Sequence, residues 1–217
     1  MKALVAWSGG KDAAWALHLA RQQDVEVAAL LTTTAAGRVA MHEVRGALVE
    51  AQAAAAGLPL WTVPLPWPCP NVEYESAMRA ALERARKEGI EAVVFGDLFL
   101  AEIRAYRESL LAGTGLRPLF PLWGKDTAAL AAEMIARGLR ATLVCVELRK
   151  LSARFAGRDL DAALLADLPE GCDPCGENGE FHTFAWGGPM FRGPVPIARG
   201  AIEERGGYAF ADLLPAG

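Results

Sequence analysis

No apolar run in the 217 residues approaches the roughly 18 needed to cross a bilayer. The N-terminal stretch has one lysine and a short apolar segment, but Lys11 and Asp12 interrupt it too early for a signal peptide. Cysteine is scarce. Four residues in a chain of this length do not make a disulfide framework, so a reduced, cytoplasmic protein is expected. A basic tract is missing too. The net charge is −4 and the pI about 5.5, which counts against a broad grip on nucleic-acid phosphates. There is no internal repeat, and no low-complexity tract beyond alanine-rich helices. Two common nucleotide signatures, G-x-x-x-x-G-K-[ST] and G-x-G-x-x-G, do not occur at the first strand–helix turn.

What remains is an ordinary globular composition, 53% hydrophobic and 22% charged, long enough for a sizeable core. The N-terminal half alternates two periods. Short apolar runs at residues 3–7, 25–31, 58–65 and 91–95 read as buried strands. Helical spacing occupies residues 12–22, 42–56, 72–87 and 101–112, with Gly57 and Gly89 as stops. Residues 117–123, "RPLFPLW", leave room only for a short edge strand. This order predicts an α/β fold with a parallel sheet, helices on both faces, and ligands at the carboxyl ends of the strands. After Trp123 come a helix (127–137), a strand (141–147), a short helix (160–168), a glycine-rich loop, the strand-like "FHTFAWGGPMF" and a last strand near 196–202. The chain therefore divides into an α/β unit, 1–124, and a smaller α+β subdomain, 125–217.

The most informative stretch is "LVAWSGGKDAAWAL", residues 4–17. A strand, two glycines and a helix start make an anion cradle. Glycine lets backbone approach a phosphate, and the free N–H groups of a first turn favour negative charge. Ser8 adds a hydroxyl and Lys11 a point charge. The same residues also suit a plain tight turn with an exposed lysine, and Asp12 suits a helix N-cap.

Residues 8–13, S-G-G-K-D-A, resemble the PP-loop S-G-G-x-D-S of ATP pyrophosphatases, with Ala13 in place of the final serine. Four further blocks follow in order: "MHEVRGALVEAQAAAAGLPL", "VVFGDLFLAEIRAYRE", "PLFPLWGKDT" and "CGENGEFHTF". Together the blocks resemble the diphthine–ammonia ligase family of N-type ATP pyrophosphatases. That resemblance implies a Rossmann-like, HUP-type sheet and a ligase using ATP and Mg²⁺, and it makes 1–124 the ATP-binding and 125–217 the substrate-binding part. Such an enzyme adenylates a carboxylate, releases pyrophosphate, and lets ammonia attack the acyl-adenylate.

The resemblance also implies roles. Ser8, Gly9, Gly10, Lys11, Asp12 and Ala13 would cradle phosphates, and Gly96 and Asp97 would complete the nucleotide site. Asp12 and Asp97 would hold Mg²⁺, which takes hard oxygen ligands and usually one or two carboxylates. Thr32, Met41 and His42 stand in range of adenine and ribose. Arg104 or Arg107 would grip a carboxylate or the α-phosphate, against the plainer reading of a solvated charged face. Glu177 and Glu180 flank an Asn-Gly turn, and one of them would bind ammonia and take its proton. Along the following strand His182 and Phe184 share a face, with Thr183 opposite.

Cys172 and Cys175 form a CxxC pair. With His182 they give three candidate zinc ligands where a closed site takes four, so reduced thiols are expected. Cys69 and Cys145 read as structural. Two other functions fit parts of the pattern: a tRNA-thiolating enzyme using Cys172 and Cys175, and a nucleotide-binding protein without turnover, for which Ala13 speaks. The substrate is diphthine on elongation factor 2 if the source is archaeal or eukaryotic, and another carboxylate otherwise. Ammonia would come free or from a partner, since no glutaminase domain is evident. The apolar "PLPWPCP" and "PLFPLW" segments are candidates for a homodimer contact.

Overall fold

A computed structural model describes residues 1–39, 43–66 and 68–216. The first sheet is built from β1 (Lys2–Ala6), β2 (Glu26–Ala35), β3 (Arg38–Val39), β4 (Leu60–Pro64), β5 (Ala92–Val94) and β6 (Arg117–Leu119). β1 pairs in parallel with β2 and β5. β4 extends the parallel sheet beyond β2, and β6 extends it beyond β5. Only the two-residue β3 runs antiparallel, against the end of β2. The parallel order β4-β2-β1-β5-β6 is that of a doubly wound sheet, and its strand order reverses between β1 and β5. Ligands in such sheets bind at the carboxyl ends on either side of that point. There the chain places Ser8-Gly9-Gly10 after β1 and Gly96-Asp97 after β5.

Helices cover both faces, as the alternation of apolar runs and helical spacing requires. Ala3 and Val5 of β1 face one core with α1 (Lys11–Gln22), α2 (Gly46–Ala56) and α5 (Thr127–Ala136). Leu4 faces the other core, with α3 (Asn71–Lys87) and α4 (Ala101–Leu111). The first core continues without a break into a second sheet, through Leu143, Val146, Phe181 and Phe184. That sheet is antiparallel and ordered β8-β7-β10-β9: β8 (Phe181–Gly187), β7 (Arg140–Glu147), β10 (Tyr208–Pro215) and β9 (Ile197–Arg205). A short helix, α6 (Ala162–Asp167), is capped by Asp161, whose carboxylate accepts from Leu164 N–H at 2.7 Å.

Several boundaries differ from the sequence reading. β2 runs on to Ala35, because Thr32, Thr33 and Thr34 keep pairing with β4. α2 starts at Gly46, after Glu43 at φ 51°, a left-handed conformation that a helix does not hold. Met41 and His42 lie outside the described residues. A whole strand, β10, adds to the expected set. Its buried face is Ala209, Ala211 and Leu213, two of them alanines that carry little apolar signal, so the alternation does not register. A hairpin at Gly206-Gly207, both at positive φ, joins it to β9. No helix of the described residues is long and apolar enough to cross a membrane.

Candidate active site

The loop after β1 turns into α1 with Gly10 as N-cap. Asp12 is therefore a first-turn residue and not the cap. The first bond of the helix runs from Ala14 N–H to the Gly10 carbonyl at 3.0 Å. Lys11, Asp12 and Ala13 thus have amides without partners inside the helix. The Lys11 amide donates to Thr183 Oγ1 at 3.0 Å, which leaves the Asp12 and Ala13 amides at the mouth with the helix dipole behind them. Gly10 N–H makes a long bond, 3.3 Å, to Ser8 Oγ. Glycine is required at two points here. Gly9 sits at φ 81°. At Gly96 an added Cβ would lie 2.8 Å from the Asp12 carbonyl carbon and 2.9 Å from Ala13 N, so the end of β5 rests directly on the first turn of α1.

Strand β8 meets this loop from the other sheet. Besides Thr183, Ala185 N–H donates to the Gly9 carbonyl at 2.9 Å. Lys11 completes the junction. Its side chain is 3% exposed, its ammonium donates to Asp12 Oδ2 at 2.7 Å and to the Cys175 carbonyl, and the Phe181 ring lies 5.7 Å away. Burial alone would lower its pKa, but the Asp12 carboxylate and nearby acidic groups outweigh that and raise it. The Lys11 ammonium thus ties Asp12 to the C-terminal motif. Burial pushes the Asp12 carboxyl up against the pull of Lys11.

The "CGENGE" loop is folded on its own acids. Asp173 N–H and Asn178 Nδ2 both donate to Glu180 Oε1, at 3.0 and 3.3 Å, and Glu177 N–H donates to Asp173 Oδ2 at 2.8 Å. Glu180 is 4% exposed, not the solvated turn acid that the Asn-Gly signal permits. Glu177 points across to the first sheet, where its Oε1 accepts Leu98 N–H at 2.9 Å. Burial pushes its pKa up to about 7; the Leu98 bond opposes this, and the Asp12 and Asp97 charges add to it. Glu177 thus senses both Asp12 and Asp97. Asp97 is likewise raised by burial against the pull of Arg107, 3.6 Å from its Oδ2.

Arg107 is thus the arginine that meets the expected site. Arg104 is engaged elsewhere: it pairs with Glu108 at 2.8 Å and lies over Phe120 and Trp123. Thr32 is buried within β2, three residues short of its end, and its hydroxyl has no hydrogen-bond partner among the described residues. Cys175 and Cys172 are protonated thiols, pushed by burial to about 12 and about 11. Among the described residues, no group of three or more His, Cys, Asp and Glu side chains is arranged to hold a metal.

One observation bears on Mg²⁺. Asp12 Oδ1 is a buried carboxylate oxygen with no hydrogen-bond partner among the described residues, and Asp97 Oδ2 is a buried one that makes no hydrogen bond but faces the Arg107 guanidinium at 3.6 Å. Two such oxygens beside a phosphate cradle fit an ion that takes few protein carboxylates and fills its shell with phosphate and water. Thr183 is the contributor that the sequence reading passed over. Alternation along the strand sets it on the face opposite His182 but does not say that this face meets the first turn of α1.

Two family models cover nearly the whole chain: diphthamide synthase N-terminal domain over residues 1–118 and diphthamide synthase C-terminal domain over residues 126–211. Curated relatives agree. The diphthine–ammonia ligase of Danio rerio is 28% identical over 88% of this chain and 84% of its own length. That of Schizosaccharomyces pombe is 32% identical over 53% of this chain but 20% of its own length, and the Homo sapiens protein is 26% identical over 67% and 56%. The chain thus spans most of the zebrafish protein and a minor part of the fission-yeast one. Among solved structures, a "predicted subunit of tRNA methyltransferase" from Methanocaldococcus jannaschii aligns with TM-score 0.43 and 17% identity, over 66% of this chain and 80% of that one. So loose a likeness carries no weight for function. The two family models, end to end along a chain whose loop and acid motif meet at one mouth, decide the matter: this protein belongs to the diphthamide synthase family.

Proposed function

We propose that the protein is an ATP-dependent ligase that adenylates a carboxylate and amidates it with ammonia, forming AMP and pyrophosphate. The observation that carries this reading is the meeting of the Ser8–Ala13 loop with Asp97 and Glu177 across two sheets. In the first step the substrate carboxylate attacks the α-phosphorus, the α–β bridging bond breaks, and pyrophosphate leaves. The Asp12 and Ala13 amides would take the charge of the leaving group, joined by the Gly10 amide and the Ser8 hydroxyl once these exchange their mutual bond for the phosphate. Asp12 and Asp97 would hold Mg²⁺, which supplies charge neutralisation on the phosphates when bound.

In the second step ammonia attacks the acyl carbon, AMP leaves, and the nitrogen loses a proton. Glu177 is our choice for its acceptor. A carboxyl titrating near 7 is half ionised at neutral pH, where a general base works best. Glu180, buried and bonded within its loop, holds that loop in shape. The two family-model units then act as one site, with the nucleotide on the first and the acid loop from the second. Thiolation is disfavoured, because Cys172 and Cys175 hold their protons. The relatives' name makes diphthine the first acid to test.

ATP labelled at the α-phosphate, incubated with Mg²⁺, ammonium and a panel of carboxylic acids that includes a diphthine-bearing elongation factor 2, tests the proposal. AMP and pyrophosphate formed only with one acid is the expected result. ADP as the product overturns it.

A further inference from the structure

Behind the phosphate loop, on α2, lies Gln52, a side chain with no exposure at all. Three of the four hydrogen-bonding positions of its amide are in use. Nε2 donates to the Gly9 carbonyl at 2.9 Å and to the Ala185 carbonyl at 2.5 Å, while Oε1 accepts from Trp7 Nε1 at 2.9 Å. One side chain thus joins the end of β1, the loop, α2 and β8. The fit is close, since a Cβ on Gly9 would come within 3.0 Å of Oε1.

The geometry has a consequence for the loop. In a planar trans peptide the carbonyl and the following N–H point in opposite directions. With its oxygen held toward Gln52 and β8, the Gly9–Gly10 peptide must turn the Gly10 N–H the other way, to the side of Ser8 Oγ and the mouth. Glycine on both sides of a peptide makes its reversal easy, because reversal turns ψ of Gly9 and φ of Gly10, and glycine resists neither change. Reversal would present a carbonyl oxygen where a phosphate needs a donor. We propose that Gln52 is a positioning residue for nucleotide binding, holding the Gly9–Gly10 peptide in its donor-presenting orientation. The proposal rests on the reading that this loop binds the β and γ phosphates.

The test is calorimetric titration of ATP, inorganic pyrophosphate and AMP into wild type, Gln52→Leu and the double variant Trp7→Phe/Gln52→Leu. The second change removes the indole donor that Leu would leave unmatched. Gln52→Leu should weaken ATP and pyrophosphate at least tenfold and change AMP less than twofold, since AMP has no β or γ phosphate. Trp7→Phe/Gln52→Leu should recover melting temperature but not ATP affinity. Should Gln52→Leu not fold, Gln52→Asn, one methylene shorter, carries the same expectation. ATP affinity equal to wild type in these variants overturns the proposal, and so does its full recovery in the double variant, which would make Gln52 merely structural. Wild type that binds neither ATP nor pyrophosphate instead overturns the phosphate-loop reading, and the role of Gln52 falls with it.

Discussion

Thr183 accepts the backbone N–H of Lys11 across 172 positions of sequence. The helix that opens the chain is thus completed by a side chain from the second sheet. An N-terminal amide left unpartnered in a buried junction costs free energy, so the loop and β8 stabilise each other. The same strand follows directly on the acid loop. Any change that shifts β8 therefore shifts the cradle and Glu177 together.

The first prediction concerns Glu177. Its folded pKa near 7 lies above the ordinary value of 4.5, so the folded protein binds more protons than the unfolded chain between those values. Stability from this group is present below about 4.5 and is lost as pH rises through 7. Glu177→Gln should remove that slope from urea melts and lower amide formation by about 10²–10⁴. It should also abolish a rise in rate centred near pH 7. A variant with wild-type rate and pH profile would remove Glu177 from the mechanism.

Much of this was legible beforehand because periodicity reports burial. Every helix of the first sheet's layers followed from apolar spacing, and the two strand ends that carry Gly9 and Asp97 followed from the parallel order. Side-chain destinations were not legible. Nothing in the spacing says that the Lys11 ammonium bonds Asp12 and the Cys175 carbonyl, or that Arg104 pairs with Glu108 and lies over Trp123 and Phe120. Strand β10 escaped because alanine carries little hydrophobic signal while fitting well under a crowded sheet. Gln52 sits in an alanine-rich helix where polar means exposed, unless a carbonyl 43 positions away is known to need a donor.

Gly96→Ala should separate folding from chemistry. The new methyl would press on the backbone of Asp12 and Ala13, at 2.8 and 2.9 Å, and backbone cannot swing aside. A cost of about 1–3 kcal/mol is expected from such overpacking. Because the displaced atoms are the first-turn amides of α1, ATP affinity should fall more than stability does. A variant with wild-type ATP affinity would show that this turn does not receive phosphate.

Lys11 and Asp12 test the junction between the sheets. Lys11→Met leaves a partly buried carboxylate and the Cys175 carbonyl without their cation, and about 3 kcal/mol of stability should go with it. Lys11→Met/Asp12→Asn removes both charges and should recover a good part of that loss in urea titrations. Equal losses in the single and double variants would mean that the pair is not coupled.

His182 supplies the acid limit. It lies on β8, mostly buried, and burial reinforced by the Lys11 charge pushes its pKa down to about 4. The unfolded chain therefore binds the proton at pH values where the folded protein does not, between about 6.5 and 4. Its contribution is complete above 6.5 and is lost as pH falls through 4. The interval corresponds to roughly 3 kcal/mol at most. In the same window Glu177 works in the opposite direction, so the wild-type curve alone hides both. The comparison to make is wild type against His182→Gln, by urea denaturation at steps from pH 7 to pH 4. The wild type should lose stability toward acid relative to the variant. A difference between the two that stays constant across the range would mean that His182 does not titrate as its burial requires.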